Sequence, residues 1–210
     1  EIPIHQVTLS DYYIGQTEVT QELWTAVMGS NPSYPKRDSL LYFTVDSFPV
    51  TDVSWDDCQS FIEELNRLFS NQLGGMRFAL PTEAQWEFAA RGGNKSKGYK
   101  YAGSNNIDDV AWYIDNSDDD LHPVAQKQPN ELGLYDMSGN VLEWCQDWCD
   151  EDYYRISPEN NPQGPVSGSH RVCRGGGWYS DAEHFRLSYR SYGAPGYRHY
   201  NLGFRLCLIP

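Results

Sequence analysis

Residues 171–206 read RVCRGGGWYSDAEHFRLSYRSYGAPGYRHYNLGFRL. Two apolar-flanked borders, RVCRGGGW at 171–178 and NLGFRL at 201–206, enclose a segment of different character. Between them stand Tyr179, Tyr189, Tyr192, Tyr197 and Tyr200, interleaved with serines, histidines and glycines. Tyrosine offers a large amphipathic contact area at low entropic cost, while Ser and Gly let the backbone adapt, the combination found in antibody contact loops. The borders therefore read as scaffold and the interior as a contact surface.

The rest of the chain has to supply that scaffold. It holds 210 residues, enough for one domain spanning 1–210 with a sizeable core. Only 40% of it is hydrophobic and the mean hydropathy is −0.64, yet it carries seven Trp, fifteen Tyr and eight Phe beside eighteen Gly and twelve Pro. Such a composition predicts many loops pinned by large rings rather than long regular elements. A net charge of −13 without any Lys/Arg run excludes a nucleic-acid footprint and suits divalent cations or a basic partner. No apolar run approaches membrane-spanning length. Five cysteines leave at least one unpaired, and Cys145 and Cys149 have C-x3-C rather than zinc-type C-x2-C spacing. Cys173 and Cys207 flank the two borders and can pair if those borders are neighbouring strands.

Local signals predict an α+β chain with helices first and irregular β structure after them. Residues 4–9 alternate as a strand, followed by a short one at 12–14. Thr20 caps a helix to about Met28 that presents Leu23, Trp24, Val27 and Met28 on one face, and Gly29 ends it. Ser54 caps a second over 54–71, striped by Trp55, Cys58, Phe61, Ile62, Leu65, Leu68 and Phe69. After a strand at 76–80, Thr82 and Gln85 form a capping box for a third helix, ended by Gly92, with Trp86, Phe88 and Ala89 in the core. Residues 30–50 and 92–130 have no clear period, and the latter contains the acidic run Asp118, Asp119 and Asp120.

Chemistry-bearing patterns are few. GLYDMSGNVLEW at 133–144 places Asp136 and Glu143 on either side of Ser138, Gly139 and Asn140. A turn there can converge two carboxylates with main-chain carbonyls, the hard oxygen set that Ca²⁺ prefers, or it is simply a corner with Asp136 and Asn140 as turn residues. The five histidines lack metal-binding spacing, and neither a phosphate loop nor a nucleophile elbow is present.

Taken together, IGQTEVTQELWTAVMGSNPS, FPVTDVSWDDCQSFIEELN, RFALPTEAQWEFAARGG, PNELGLYDMSGNVLEWCQDW and RVCRGGGW…NLGFRL resemble the formylglycine-generating enzyme (sulfatase-modifying factor) domain family, in the family's order and over nearly the whole chain. The resemblance implies an α+β fold with little regular structure, related to C-type lectins. It implies structural Ca²⁺ held by the Asp136 and Glu143 side chains and by the carbonyls of Gly139 and Val141. A second family calcium site falls on 110–120, where its side-chain pattern is not clearly kept.

One departure outweighs these matches. Family enzymes oxidise a sulfatase cysteine to formylglycine with a pair of active-site cysteines assigned to copper and oxygen chemistry; this chain has Ser180 and Phe185 there. Neither a hydroxyl nor a phenyl ring replaces a soft thiolate, so no copper is expected. The expectation is a non-catalytic binding module with a protein or glycan ligand, located outside the cytoplasm or on the cell surface; a chain opening at Glu1 is compatible with removal of an N-terminal segment. Variable proteins of diversity-generating retroelements share this fold, and the residues their mutagenesis yields cluster between the borders. Tyr179, Ser180, Asp181, His184, Tyr189, Ser191, Tyr192, Gly193, Ala194, Gly196, Tyr197, His199 and Tyr200 are the candidate ligand-binding positions. The alternative is an oxidoreductase of the formylglycine-generating type, or another enzyme, using the same cleft.

Overall fold

The computed structural model describes residues 2–33 and 45–210. Its helices start where side chains can cap them. The Thr20 hydroxyl accepts the Leu23 amide to open α1 (Gln21–Met28), and Gly29, left-handed at φ 77°, closes it. Ser54 and Asp57 form a reciprocal capping box on α2 (Trp55–Phe69), and Thr82 with Gln85 does the same for α3 (Glu83–Ala90).

The buried faces differ from the expected stripes in instructive ways. In α1 Trp24 is buried together with Gln21, whose amide donates to the Pro49 carbonyl, while Leu23 and Met28 lie outside. A satisfied buried amide thus rolls the helix off its most apolar face. In α2 Cys58, Phe61, Ile62 and Leu65 are buried, but Leu68 and Phe69 overrun the core and are exposed. Phe88 of α3 is likewise exposed, opposite buried Trp86 and Ala89.

Among the described residues seven short strands make two sheets. In the first, β7 (Cys207–Ile209) lies between β1 (Tyr13–Ile14) and β2 (Arg77–Ala79), antiparallel to both. The second runs in the order β5 (Ser191–Gly193), β4 (Arg171–Arg174), β3 (Leu142–Trp148), β6 (Leu202–Gly203). Within this sheet, among the described residues, only the β3–β6 pairing is parallel. The strand expected over residues 4–9 does not form: Thr8 makes a lone bridge to Asn160, anchoring the segment to a loop rather than a sheet. Cys173 and Cys207 fall in different sheets, so the borders are not neighbours in the required way, and all five cysteines are free thiols. Residues 92–130 contain only single 3₁₀ turns at Gly93–Lys95 and Ile107–Asp109.

Aromatic rings hold the core. Trp24 stacks on Phe61 at 5.1 Å, and Phe204 meets both edge-on. Deeper still lies an ion pair with no exposed atoms. The Arg205 guanidinium forks onto both oxygens of Glu143 at 2.6 Å, and Trp86 Nε1 donates to the same carboxylate at 2.7 Å. Its remaining donors reach the carbonyls of Gly15 and Tyr135. Replacing one partner strands a buried charge, so Arg205→Met is expected to cost about 3–5 kcal/mol in urea denaturation. A loss below about 1 kcal/mol would mean that Glu143 finds another partner.

Candidate ligand-binding surface

The surface is built on β5 and the turn after it. β5 pairs with β4 in the register Arg171↔Gly193, Val172↔Tyr192, Cys173↔Ser191, so Tyr192 points away from the sheet side that Ser191 and Gly193 share. Tyr192 is 57% exposed. Gly193 is buried, and a Cβ there would come within 2.7 Å of Cη2 of Trp144, a core ring fixed by its hydrogen bond to the Val53 carbonyl. A turn closed by the Tyr197 amide on the Ala194 carbonyl then lifts Tyr197 into solvent. Tyr197 stacks on His199 at 16°, and His199 in turn contacts Tyr179 and Tyr200. The Nδ1 of His199 bonds the Asn201 side-chain oxygen, which orients the ring.

Tyr179, Ser191, Tyr192, Gly193, Ala194, Tyr197 and His199 thereby line one depression of about 420 Å³, floored by Leu142, Cys173, Asn201 and Leu202. Tyr200 backs Tyr179, and Gly196 is exposed on the adjoining turn. The other expected positions, Ser180, Asp181, His184 and Tyr189, do not line this depression. Phe185, in the same stretch, is buried in a cluster with Tyr101, Val110, Ala111 and Tyr113. There the Ser180 carbonyl accepts the Ile114 amide, and His184 sits edge-on to Tyr189. A larger cavity of about 530 Å³ lies elsewhere, between the N-terminal segment and α3, and none of the thirteen positions lines it.

Residues outside the segment complete the rim. His170 meets Tyr192 edge-on at 5.3 Å and lines the depression. From the start of α2, the Asp56 amide reaches the Pro195 carbonyl, and Asp57 receives a two-pronged ion pair from Arg198 at 2.7 and 2.8 Å. His170 reads in the sequence as an ordinary loop histidine, and the α2 aspartates had no signal beyond their capping role.

Beneath the surface the 133–144 turn bends as its residue types suggest, with Asp136, Gly139 and Asn140 at φ 57°, 94° and 61°. Asp136 accepts the Ala125 amide at 2.7 Å, and Glu143 is the ion-paired carboxylate already described. Sequence reading missed the third carboxylate. Glu18 is 2% exposed, its carboxyl lies beside that of Asp136, and neither of its oxygens meets a donor in good hydrogen-bond geometry. Burial, and then the negative charges of Asp136 and Glu143, push its pKa well above the ordinary glutamate range against the pull of Arg205. Burial likewise raises Asp136. Among the described residues no three acidic, His or Cys side chains converge closely enough to hold a metal alone, so a cation here would need main-chain oxygens as well. The acidic run at 118–119 is exposed.

The model of the sulfatase-modifying factor enzyme 1-like domain matches residues 1–208. The chain belongs to this family. Its structure superposes on Treponema denticola variable protein 1 with a TM-score of 0.88 and 37% identity, over 97% of this chain and 86% of that one. It is similar to the chaperone protein LppX of Paenibacillus barcinonensis, 36% identical over 87% of this chain and 75% of that protein. The formylglycine-generating enzyme of Streptomyces coelicolor is 36% identical over 87% of this chain, which spans 59% of the enzyme's length. Ser180 and Phe185, which the sequence resemblance sets against the family's cysteine pair, are a hydroxyl that accepts the Gly177 amide and a buried ring.

Two outcomes test this geometry. Gly193→Ala should cost about 1–3 kcal/mol through collision with Trp144, whereas Tyr192→Ser and Tyr197→Ser should each stay within about 0.5 kcal/mol in the same denaturation assay. For Glu18, the folded state holds the proton more tightly than the unfolded chain. Its stability contribution is therefore complete below about pH 4.3 and is lost as pH rises toward the higher folded value. In metal-free buffer Glu18→Gln should match the parent near pH 4.5 and exceed it increasingly toward pH 8; a gap independent of pH would refute a titrating carboxylate.

Proposed function

We propose that this chain is a non-catalytic ligand-binding module whose variable face is the Tyr179–Tyr192–Tyr197–His199 depression. The carrying observation is physical separation. The tyrosines that make contact area project from a rigid frame, while the residues that hold the frame, Trp144, Gly193, Arg174 and Arg205, are buried beneath. Similarity to a variable protein over nearly the whole chain supports reading the face as diversified by a retroelement. Sequencing the surrounding locus tests this: a template repeat of the 171–206 coding region and a reverse-transcriptase gene are expected beside it, and their absence would remove the diversification reading.

Calcium fits the corner below that face. Glu18, Asp136 and Glu143 bring three carboxylates into the interior against one guanidinium, Arg205. A buried excess of negative charge is costly unless a cation or protons compensate it. One oxygen of Glu143 accepts a single hydrogen bond, which leaves it a lone pair for a metal. Ca²⁺ would be held by Asp136, Glu143 and the carbonyls of Gly139 and Val141, and would supply charge balance and stiffness to the turn. Chelation should lower the thermal midpoint, and calcium should restore it; an unchanged midpoint counts against the site.

The formylglycine-generating relatives keep an oxidase reading in view, but the hydroxyl and phenyl ring at positions 180 and 185 offer no thiolate pair for copper. Copper titration with an oxygen-uptake assay on a cysteine-containing peptide is expected to give no turnover. Turnover would replace the binding reading with the enzymatic one.

A further inference from the structure

The depression also carries information about the charge of its ligand. Among the described residues its lining contains no charged side chain, and five of its residues are Tyr179, Tyr192, Tyr197, His170 and His199. Ring faces with a negative quadrupole attract cations that come within about 6 Å of their centres. The same molecule uses this repeatedly. Arg171 lies between Trp55 and Trp148 at 3.7 and 3.5 Å, Lys127 lies 3.9 Å from the Trp112 ring centre, and Arg190 4.6 Å from that of Tyr154. Two described cations near the depression are engaged away from it. Arg198, on the same turn, is drawn away by its two-pronged pair with Asp57, and Arg171, opposite Gly193, is taken up by its tryptophans. Among the described residues no cation of the chain is recorded over Tyr179, Tyr192, Tyr197 or His199.

The net charge of the chain has the matching sign. Asp56 is exposed where α2 meets Pro195, and the whole chain carries a net charge of −13. An anionic ligand would approach against that charge, and a cationic one with it. A guanidinium suits the site best in shape: it is planar, stacks on rings, and keeps donors free for the tyrosine hydroxyls and Ser191. We infer that, in this variant, the depression takes an arginine or lysine side chain presented by a protein partner. The inference rests on the binding-module reading and specifies the ligand class of the same site.

The test is a peptide-display selection against the intact chain, with counter-selection on the Tyr179→Ala/Tyr197→Ala double variant, whose fold is checked by thermal melting. Enriched peptides are expected to share an Arg or Lys. Replacing that Arg by citrulline, equal in shape but uncharged, or that Lys by norleucine, should weaken binding at least about tenfold. Raised salt should weaken it further. Enrichment of acidic or uncharged peptides, an unchanged affinity with citrulline, or stronger capture of neutral glycans at the same tyrosines would overturn the cationic ligand while leaving the binding face intact. Binders indifferent to the tyrosine substitutions, or no binders at all, would overturn both readings.

Discussion

A guanidinium and a carboxylate without any water contact set the terms for this fold. Arg205 and Glu143 are both fully buried, and such a pair pays a desolvation cost that its own attraction only roughly recovers. Its value lies in what it permits. Glu143 opposes Gly203 in the parallel β3–β6 pairing, and Arg205 follows two residues later, so the fork is made only in that register. A slip by one residue would point the guanidinium at the opposite face and leave two buried charges unpaired. Through its other donors the same side chain fixes Gly15 and Tyr135, so chain segments far apart in sequence meet at one cation. A second buried guanidinium repeats the device: Arg174 ties Glu83 and Glu87 of α3 to the carbonyls of Leu187 and Ser188, inside the tyrosine-rich segment.

These fixed points explain how a chain with so little regular structure can present a defined surface. The strands are two to seven residues long, too short for ladder hydrogen bonds alone to hold them in place. Rings and ion pairs take over that task, and they lie on one side only. Gly193 has no room for a side chain because Trp144 fills the space beneath it, while its neighbours Tyr192 and Ala194 face outward into solvent. Composition on the outer side is therefore decoupled from stability, the condition a surface must meet if its residues are to change without unfolding the chain.

The sequence disclosed the parts of this arrangement that depend on short-range chemistry. Thr20, Ser54 and Thr82 announce helix starts because each needs only a hydroxyl and an amide two or three residues away. It misled where a partner lies far off. The alternation over residues 4–9 looks like a strand, but Thr8 finds a loop at Asn160 instead of a sheet edge. Cys173 and Cys207 flank matching borders yet end in separate sheets. The tyrosine-rich segment reads as one surface, yet residues 180–189 stay out of the depression and Phe185 among them is buried with Tyr101 and Tyr113. Glu18 was invisible because nothing beside it in sequence marks a glutamate for burial.

The corner that holds Glu18 also reaches the tyrosine face by a short route. The Gly139 amide donates to the Gly175 carbonyl at 2.9 Å, the Asn140 carbonyl accepts the Trp178 amide at 2.8 Å, and the Leu142 amide donates to the Asn201 carbonyl at 2.8 Å. Both borders of the tyrosine-rich segment are thus fastened to residues 139–142, the turn whose two flanking carboxylates are Asp136 and Glu143. Whatever balances the charge of Glu18, Asp136 and Glu143, a divalent ion or protons, acts on the footing from which Tyr179 and Tyr200 project. A firm footing lowers the ordering cost that a loop-borne face incurs when it binds. A cation held at that turn would accordingly be felt at the face as tighter binding by the same side chains, without touching the ligand itself.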